Sequence, residues 1–129
     1  MSIEMTLLIW SAVLVGAYVL VQSTFYRLDY GVMHAASARD GERSPGVLNG
    51  RAERALRNLL ETYGVFVALA IATELTGRSD AFTQWGAQLW FWSRWLYLPA
   101  YVAGIPFIRS AIWLVSALGL VLMFLGVAF

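Results

Sequence analysis

Three short groups of polar residues interrupt otherwise apolar stretches of this chain, and their types suit the binding of a charged small molecule. Arg54, Asn58 and Glu61 stand at i, i+4 and i+7, on one face of a helix, with Arg57 beside them. Arg94, Tyr97 and Tyr101 have a similar spacing of i, i+3 and i+7, and Arg109 is followed by Ser110. Guanidiniums grip carboxylates through paired N–H donors, while a carboxylate such as Glu61 accepts from an ammonium or a peptide N–H. Taken together, the set suits a polar ligand that carries its own carboxylates and an amine. An arginine held beside a ligand thiol would also favour its thiolate, by the neighbouring-charge effect that lowers a cysteine pKa. Any sulfur in such a reaction must come from the ligand, because the chain has no cysteine. That absence also excludes disulfides, thiolate metal sites and a cysteine nucleophile. The single histidine, His34, sits in a polar stretch with no second ligand nearby, so no metal site is expected.

The same residues fit plainer roles. Glu53 with Arg57, and Arg57 with Glu61, are i, i+4 pairs of the kind that decorate helix surfaces for a few tenths of a kcal/mol. Glu74 with Arg78 is another such pair, expected to be structural. Arg94 could snorkel to lipid headgroups with Tyr97 and Tyr101 as interface aromatics, and Arg109 could act only as a topological anchor. The six tryptophans read as belt and packing residues.

The elements that must position these groups are apolar helices. Of 129 residues, 60% are hydrophobic and 13% charged, about half the charge of a soluble domain, so the chain reads as a single-domain, multi-pass integral membrane protein over 1–129. A charge-free run over 5–26 is long enough to cross the hydrocarbon core. Its acidic start, Glu4, argues against a cleaved secretory leader. Further spans are expected over about 51–76, 81–100 and 109–129, giving an all-α bundle of four transmembrane helices. Gly77 offers a cap for the second, and Pro99, Gly104 and Pro106 are expected to break the chain after the third. Residues 27–50, rich in Gly, Pro, Asn and charge, read as a solvated connection. All nine positive charges are arginine, and eight fall on the side of the 27–57 and 94–109 connections. The positive-inside rule then places those arginine-rich loops in the cytoplasm and both termini outside it.

At these motifs the chain resembles the MAPEG superfamily, the membrane-associated proteins in eicosanoid and glutathione metabolism. Residues 51–62, Arg51-Ala-Glu-Arg54-Ala-Leu-Arg57-Asn58-Leu-Leu-Glu61-Thr62, are similar to its second-helix signature. Arg94-Trp-Leu-Tyr97-Leu-Pro-Ala-Tyr101 with Ile108-Arg109-Ser110 is similar to its third- and fourth-helix signature. The nearest likeness is to the microsomal glutathione transferase and prostaglandin E synthase branch, although Tyr97 stands where that synthase has histidine and Trp113 where it has tyrosine. The resemblance implies a homotrimer with glutathione as thiol co-substrate between protomers. It implies that Arg27, Arg54, Arg57, Asn58, Glu61, Arg94, Tyr97 and Tyr101 bind glutathione, and that Arg109 stabilises its thiolate with help from Ser110. The expected activity is glutathione transfer to, or peroxide reduction of, lipophilic small molecules arriving from the membrane lipid, with no nucleic-acid partner. The rival expectation is a non-catalytic scaffold or subunit whose arginine face binds protein or anionic lipid.

Overall fold

The computed structural model describes residues 1–129 and is all helical. Its elements are α1 (Ile3–Tyr30), the short α2 (Val32–Ala36), α3 (Val47–Thr76), α4 (Ala81–Ala103) and α5 (Pro106–Ala128). Three of these, α1, α3 and α5, are long and apolar enough to cross a membrane. Helix α4 is also long enough, but Gln84, Gln88, Ser93, Arg94 and its tryptophans and tyrosines leave it without an apolar stretch like theirs. It is sheltered by its neighbours: α4 packs against α1, α3 and α5, as α3 packs against α1, α4 and α5, whereas α1 and α5 do not meet. Trp90 and Arg94 on α4 are fully buried, and the Trp90 ring stacks on Phe66 of α3 with centroids 4.1 Å apart.

The helix ends follow local chemistry. Asp80 and Thr83 form a reciprocal capping box at the start of α4. Gly77 and Gly104 close α3 and α4 in the left-handed conformation, with φ of 65° and 76°. Four boundaries differ from expectation, the first being that α1 runs on to Tyr30 rather than ending near 26. Helix α4 runs through Pro99 to Ala103, because a proline costs only the one backbone bond it cannot donate when neighbouring helices hold the rest in place. Pro106 starts α5 rather than ending a turn, the first helical position being the one where its fixed φ fits and its missing N–H is not needed. Helix α3 begins at Val47, one turn before Arg51.

The connection from α1 to α3 is folded rather than open. The rings of Tyr26, Tyr30 and His34 cluster, with centroids 4.8 and 5.4 Å apart for successive pairs. Tyr26 donates to Glu42, His34 lies 3.4 Å from the same carboxylate, and Asp29 pairs with Arg43. At the opposite end of the bundle the carboxylate of Glu4, fully buried, accepts from the Thr83 hydroxyl at 2.6 Å and from Ser79 at 3.0 Å. The Glu74–Arg78 pair does not form: Glu74 accepts from Ser2, and Arg78 donates to the Val127 carbonyl at 3.0 Å, completing an unpaired carbonyl near the end of α5.

Helices α4 and α5 make the closest approach. A Cβ on Gly86 would lie 2.5 Å from the Gly119 carbonyl oxygen, and one on Gly119 would lie 2.5 Å from that of Gly86. This seam fixes the register between the tyrosines of α4 and the start of α5.

Candidate functional site

Helices α3, α4 and α5 surround a groove of about 540 Å³ at the Arg-rich end of the bundle. Helix α3 contributes Arg54, Arg57, Asn58 and Glu61, α4 contributes Tyr97 and Tyr101, and α5 contributes Arg109, Ser110, Trp113 and Leu114. The helical periodicity explains each set. Positions i, i+4 and i+7 of α3 share a face, and Arg109 with Trp113, and Ser110 with Leu114, stack one turn apart on α5. The wall of the groove thus changes from cationic to apolar within one turn of α5.

Tyr101 organises the cationic end. Arg54 Nε donates to its hydroxyl at 3.2 Å, and the Arg109 guanidinium lies 4.6 Å over its ring. Tyr97 and Tyr101 meet edge to face with centroids 5.6 Å apart. Arg54 and Arg109 have no carboxylate partner, and Glu61 has no cationic one; the only ion pair on this face is the exposed Arg57–Glu53 contact at 3.0 Å. The groove therefore presents guanidiniums and a carboxylate whose hydrogen-bonding capacity is largely unspent.

Arg94 lies behind the wall rather than on it. It is fully buried, its guanidinium is 4.4 Å from the Tyr97 ring centroid, and Nη2 donates to Asn58 Oδ1 at 2.9 Å. Its Nε and Nη1 have no partner. The Tyr18 hydroxyl ties α1 to the same residue by donating to the Arg94 carbonyl at 2.5 Å. Because Arg94 occupies the Asn58 carbonyl oxygen, the Asn58 NH₂ is left to donate to a ligand in the groove.

The structure thus brings together Arg54, Arg57, Asn58, Glu61, Tyr97, Tyr101, Arg109 and Ser110 in one groove. Arg94 backs it, and Arg27 does not reach it, being exposed in the last turn of α1. The functional reading of the sequence passed over Leu114 and used Trp113 only as a point of comparison. The available signal was their i+4 relation to Ser110 and Arg109.

A helical bundle with three membrane-length apolar helices and a cation-lined groove at one end defines a small membrane protein with a candidate site. The chain belongs to the MAPEG family, whose family model matches residues 5–129. That family includes glutathione transferases as well as non-catalytic members. Comparison with curated proteins and with solved structures gives no match.

Proposed function

We propose that this protein is a glutathione-dependent membrane transferase or peroxidase acting on lipophilic electrophiles. The observation that carries this reading is the groove, where unpaired Arg54 and Arg109, a free Glu61 and the available Asn58 amide face an apolar pair, Trp113 and Leu114. Glutathione has two carboxylates, one ammonium, two peptide bonds and a thiol, and each finds a complementary group. Arginines take the carboxylates, Glu61 takes the ammonium, and Asn58 donates to a peptide carbonyl. Arg109 has no protein partner, so its charge is available to hold the thiol as thiolate, with Ser110 beside it as a hydrogen-bond donor. The apolar pair one turn away receives the electrophile.

In the transferase reaction the thiol proton passes to solvent and the thiolate sulfur forms a bond to the electrophilic carbon. The leaving group departs with its bonding pair. With a hydroperoxide the sulfur attacks oxygen, the O–O bond breaks and the alcohol leaves. A second glutathione then converts the sulfenic acid to glutathione disulfide and water. The protein contributes orientation and charge stabilisation and forms no covalent intermediate.

In the same reading, α4 is a fourth span, both termini lie outside the cytoplasm and the Arg-rich loops lie within it. The protomer is part of a homotrimer. Support for assembly comes from Glu53, Arg57 and Glu61, which are exposed on an outward face of α3 in the single chain, where charge facing lipid is costly and a neighbouring protomer would cover it. Arg27 would then contact ligand held by a neighbour.

The test is ligand-dependent stability together with kinetics. Millimolar glutathione should raise the unfolding midpoint of detergent-purified protein, whereas a peptide of similar charge should not. Arg109→Ala should lower kcat far more than it weakens glutathione binding, while Glu61→Gln should mainly weaken binding. Full conjugating activity in Arg109→Ala would overturn the mechanism, and no shift with either peptide would favour a non-catalytic scaffold. Crosslinking in native membranes that yields only monomers would remove the basis of the inter-protomer site.

A further inference from the structure

Beside the groove lies a second, smaller hollow of about 220 Å³, lined by Arg51, Arg54, Tyr101, Gly104, Pro106 and Arg109. Its lining holds three guanidiniums and no carboxylate, and none of the three arginines is in an ion pair anywhere in the protein. Each guanidinium carries five N–H donors. Arg51 uses one, on the Val102 carbonyl at 3.0 Å, and Arg54 uses one, on the Tyr101 hydroxyl. The Arg109 side chain donates to no protein group and is steadied instead by the Tyr101 ring.

The backbone is shaped to hold this arrangement. Gly104 adopts φ 76°, and a Cβ there would lie 2.7 Å from the Arg51 guanidinium carbon, so glycine both makes the turn and leaves the seat for Arg51. Gly50 similarly admits Arg54, whose Nη1 would be 3.1 Å from an added Cβ. Three converging forks without a counter-charge suit a compact anion with several oxygens. A tetrahedral phosphate meets more of those donors than a planar carboxylate does. Ile105 in the turn, and Phe107 and Ile108 in the first turn of α5 next to Pro106 and Arg109, are exposed. Apolar side chains flanking arginines in this way match the boundary between acyl chains and headgroups, where lipid phosphates lie.

We infer that Arg51, Arg54 and Arg109 form a phosphate-binding hollow, adjoining the groove, which takes the phosphate of an anionic lipid headgroup or free phosphate. The assignment does not rest on the glutathione reading. The two sites share Arg54 and Arg109, so an occupied hollow draws on the charge that the groove would otherwise use.

The test compares the wild type with Arg51→Gln and Arg78→Gln. Arg78 also donates to a carbonyl near a helix end, that of Val127 at 3.0 Å, but at the other end of the bundle, so it matches the charge and hydrogen bond lost with Arg51. In the first arm, inorganic phosphate is titrated against chloride at constant ionic strength in detergent, reading the unfolding midpoint. Arg51→Gln should weaken phosphate binding about tenfold or more, and Arg78→Gln should leave it unchanged. In the second arm, protein released from phosphatidylcholine nanodiscs with and without phosphatidic acid is weighed by native mass spectrometry. Retention of phosphatidic acid by the wild type and Arg78→Gln, but not Arg51→Gln, identifies the lipid as the source. An effect in the first arm alone identifies free phosphate. Equal behaviour of wild type and Arg51→Gln in both arms overturns the proposal. If Arg51→Gln does not fold, Arg51→Lys, which keeps the charge but loses the fork, should bind phosphate several-fold more weakly, and unchanged affinity there overturns it equally. Glutathione-induced shifts on the same preparations are read separately, so loss of that effect in the wild type counts against the groove and not the hollow.

Discussion

Replacing Gly86 by alanine tests whether the α4–α5 seam holds the bundle together. The added Cβ would sit 2.5 Å from the Gly119 carbonyl oxygen, 2.8 Å from Met123 Cγ and 2.9 Å from Met123 N. An ordinary carbon–oxygen contact needs about 3.3 Å, so the helices must separate by about 0.8 Å. Two of the three obstacles are backbone atoms, which no rotamer change can move. A gap of that size forfeits roughly a quarter to a half of each dispersion contact along the seam. Overpacking of this kind costs about 1–3 kcal/mol, and rigid backbone obstacles place Gly86→Ala near the upper end. Alanine contributes up to about 1 kcal/mol of helix propensity, leaving a net loss of about 2 kcal/mol. Gly16→Ala is the control, because a Cβ there meets nothing within 4 Å, and it should stabilise by up to about 1 kcal/mol. The assay is reversible unfolding in mixed micelles by increasing dodecyl sulfate, followed by tryptophan fluorescence. Trp90, stacked on Phe66, provides the core signal. If the two variants unfold within about 0.5 kcal/mol of each other, the close packing inferred here is wrong.

Other perturbations address the site and the far end of the bundle. Asn58→Leu removes the hydrogen-bond partner of a buried guanidinium and should destabilise the fold by about 2–3 kcal/mol in the same assay, whereas Asn58→Asp, which retains the acceptor, should be milder. Tyr101→Phe keeps the ring beneath Arg109 but removes the acceptor for Arg54; glutathione affinity should fall about three- to tenfold with kcat nearly unchanged, measured by titration and steady-state kinetics. Glu4→Leu leaves the Thr83 and Ser79 hydroxyls without their acceptor and should lower stability by about 2–4 kcal/mol, with Glu4→Gln losing less. Trp113→Ala should raise KM for a lipophilic electrophile and leave glutathione binding unaltered, because its ring belongs to the apolar end of the groove.

Much of the groove was legible because helical periodicity is a rigid rule. The spacing of Arg54, Asn58 and Glu61 fixed them on one face before any packing was known, and Gly77 was visible as a cap, whereas the capping box of Asp80 and Thr83 was not read. What sequence could not show was depth. Arg94 has the same spacing relation to Tyr97 and Tyr101 as a groove residue would, but rotation of α4 within the bundle turns its guanidinium inward onto Asn58. Rotation is set by contacts with three other helices, which no local pattern encodes. The partner of Glu4 was hidden for a related reason: Ser79 and Thr83 lie more than 70 residues away, and only closure of the bundle brings them together. Pro99 and Pro106 were read as breaks because proline's effect depends on whether the surroundings satisfy the freed backbone groups.

The burial of Arg94 bears on how the protein is made. An arginine at the centre of a helix opposes transfer into lipid by about 2.5–3.5 kcal/mol on the scale that describes insertion by the translocon. Helix α4 is also the long helix whose apolar stretches fall short of those in α1, α3 and α5. The segment that supplies both tyrosines of the groove is therefore the one least able to leave the translocation machinery alone. On the proposed four-span topology, its insertion would require α3 to have delivered Asn58 already, or α5 to follow closely and draw it in as a hairpin. On that topology the order of synthesis, α3 before α4 before α5, meets the requirement, whereas a rearranged chain with α4 first would not.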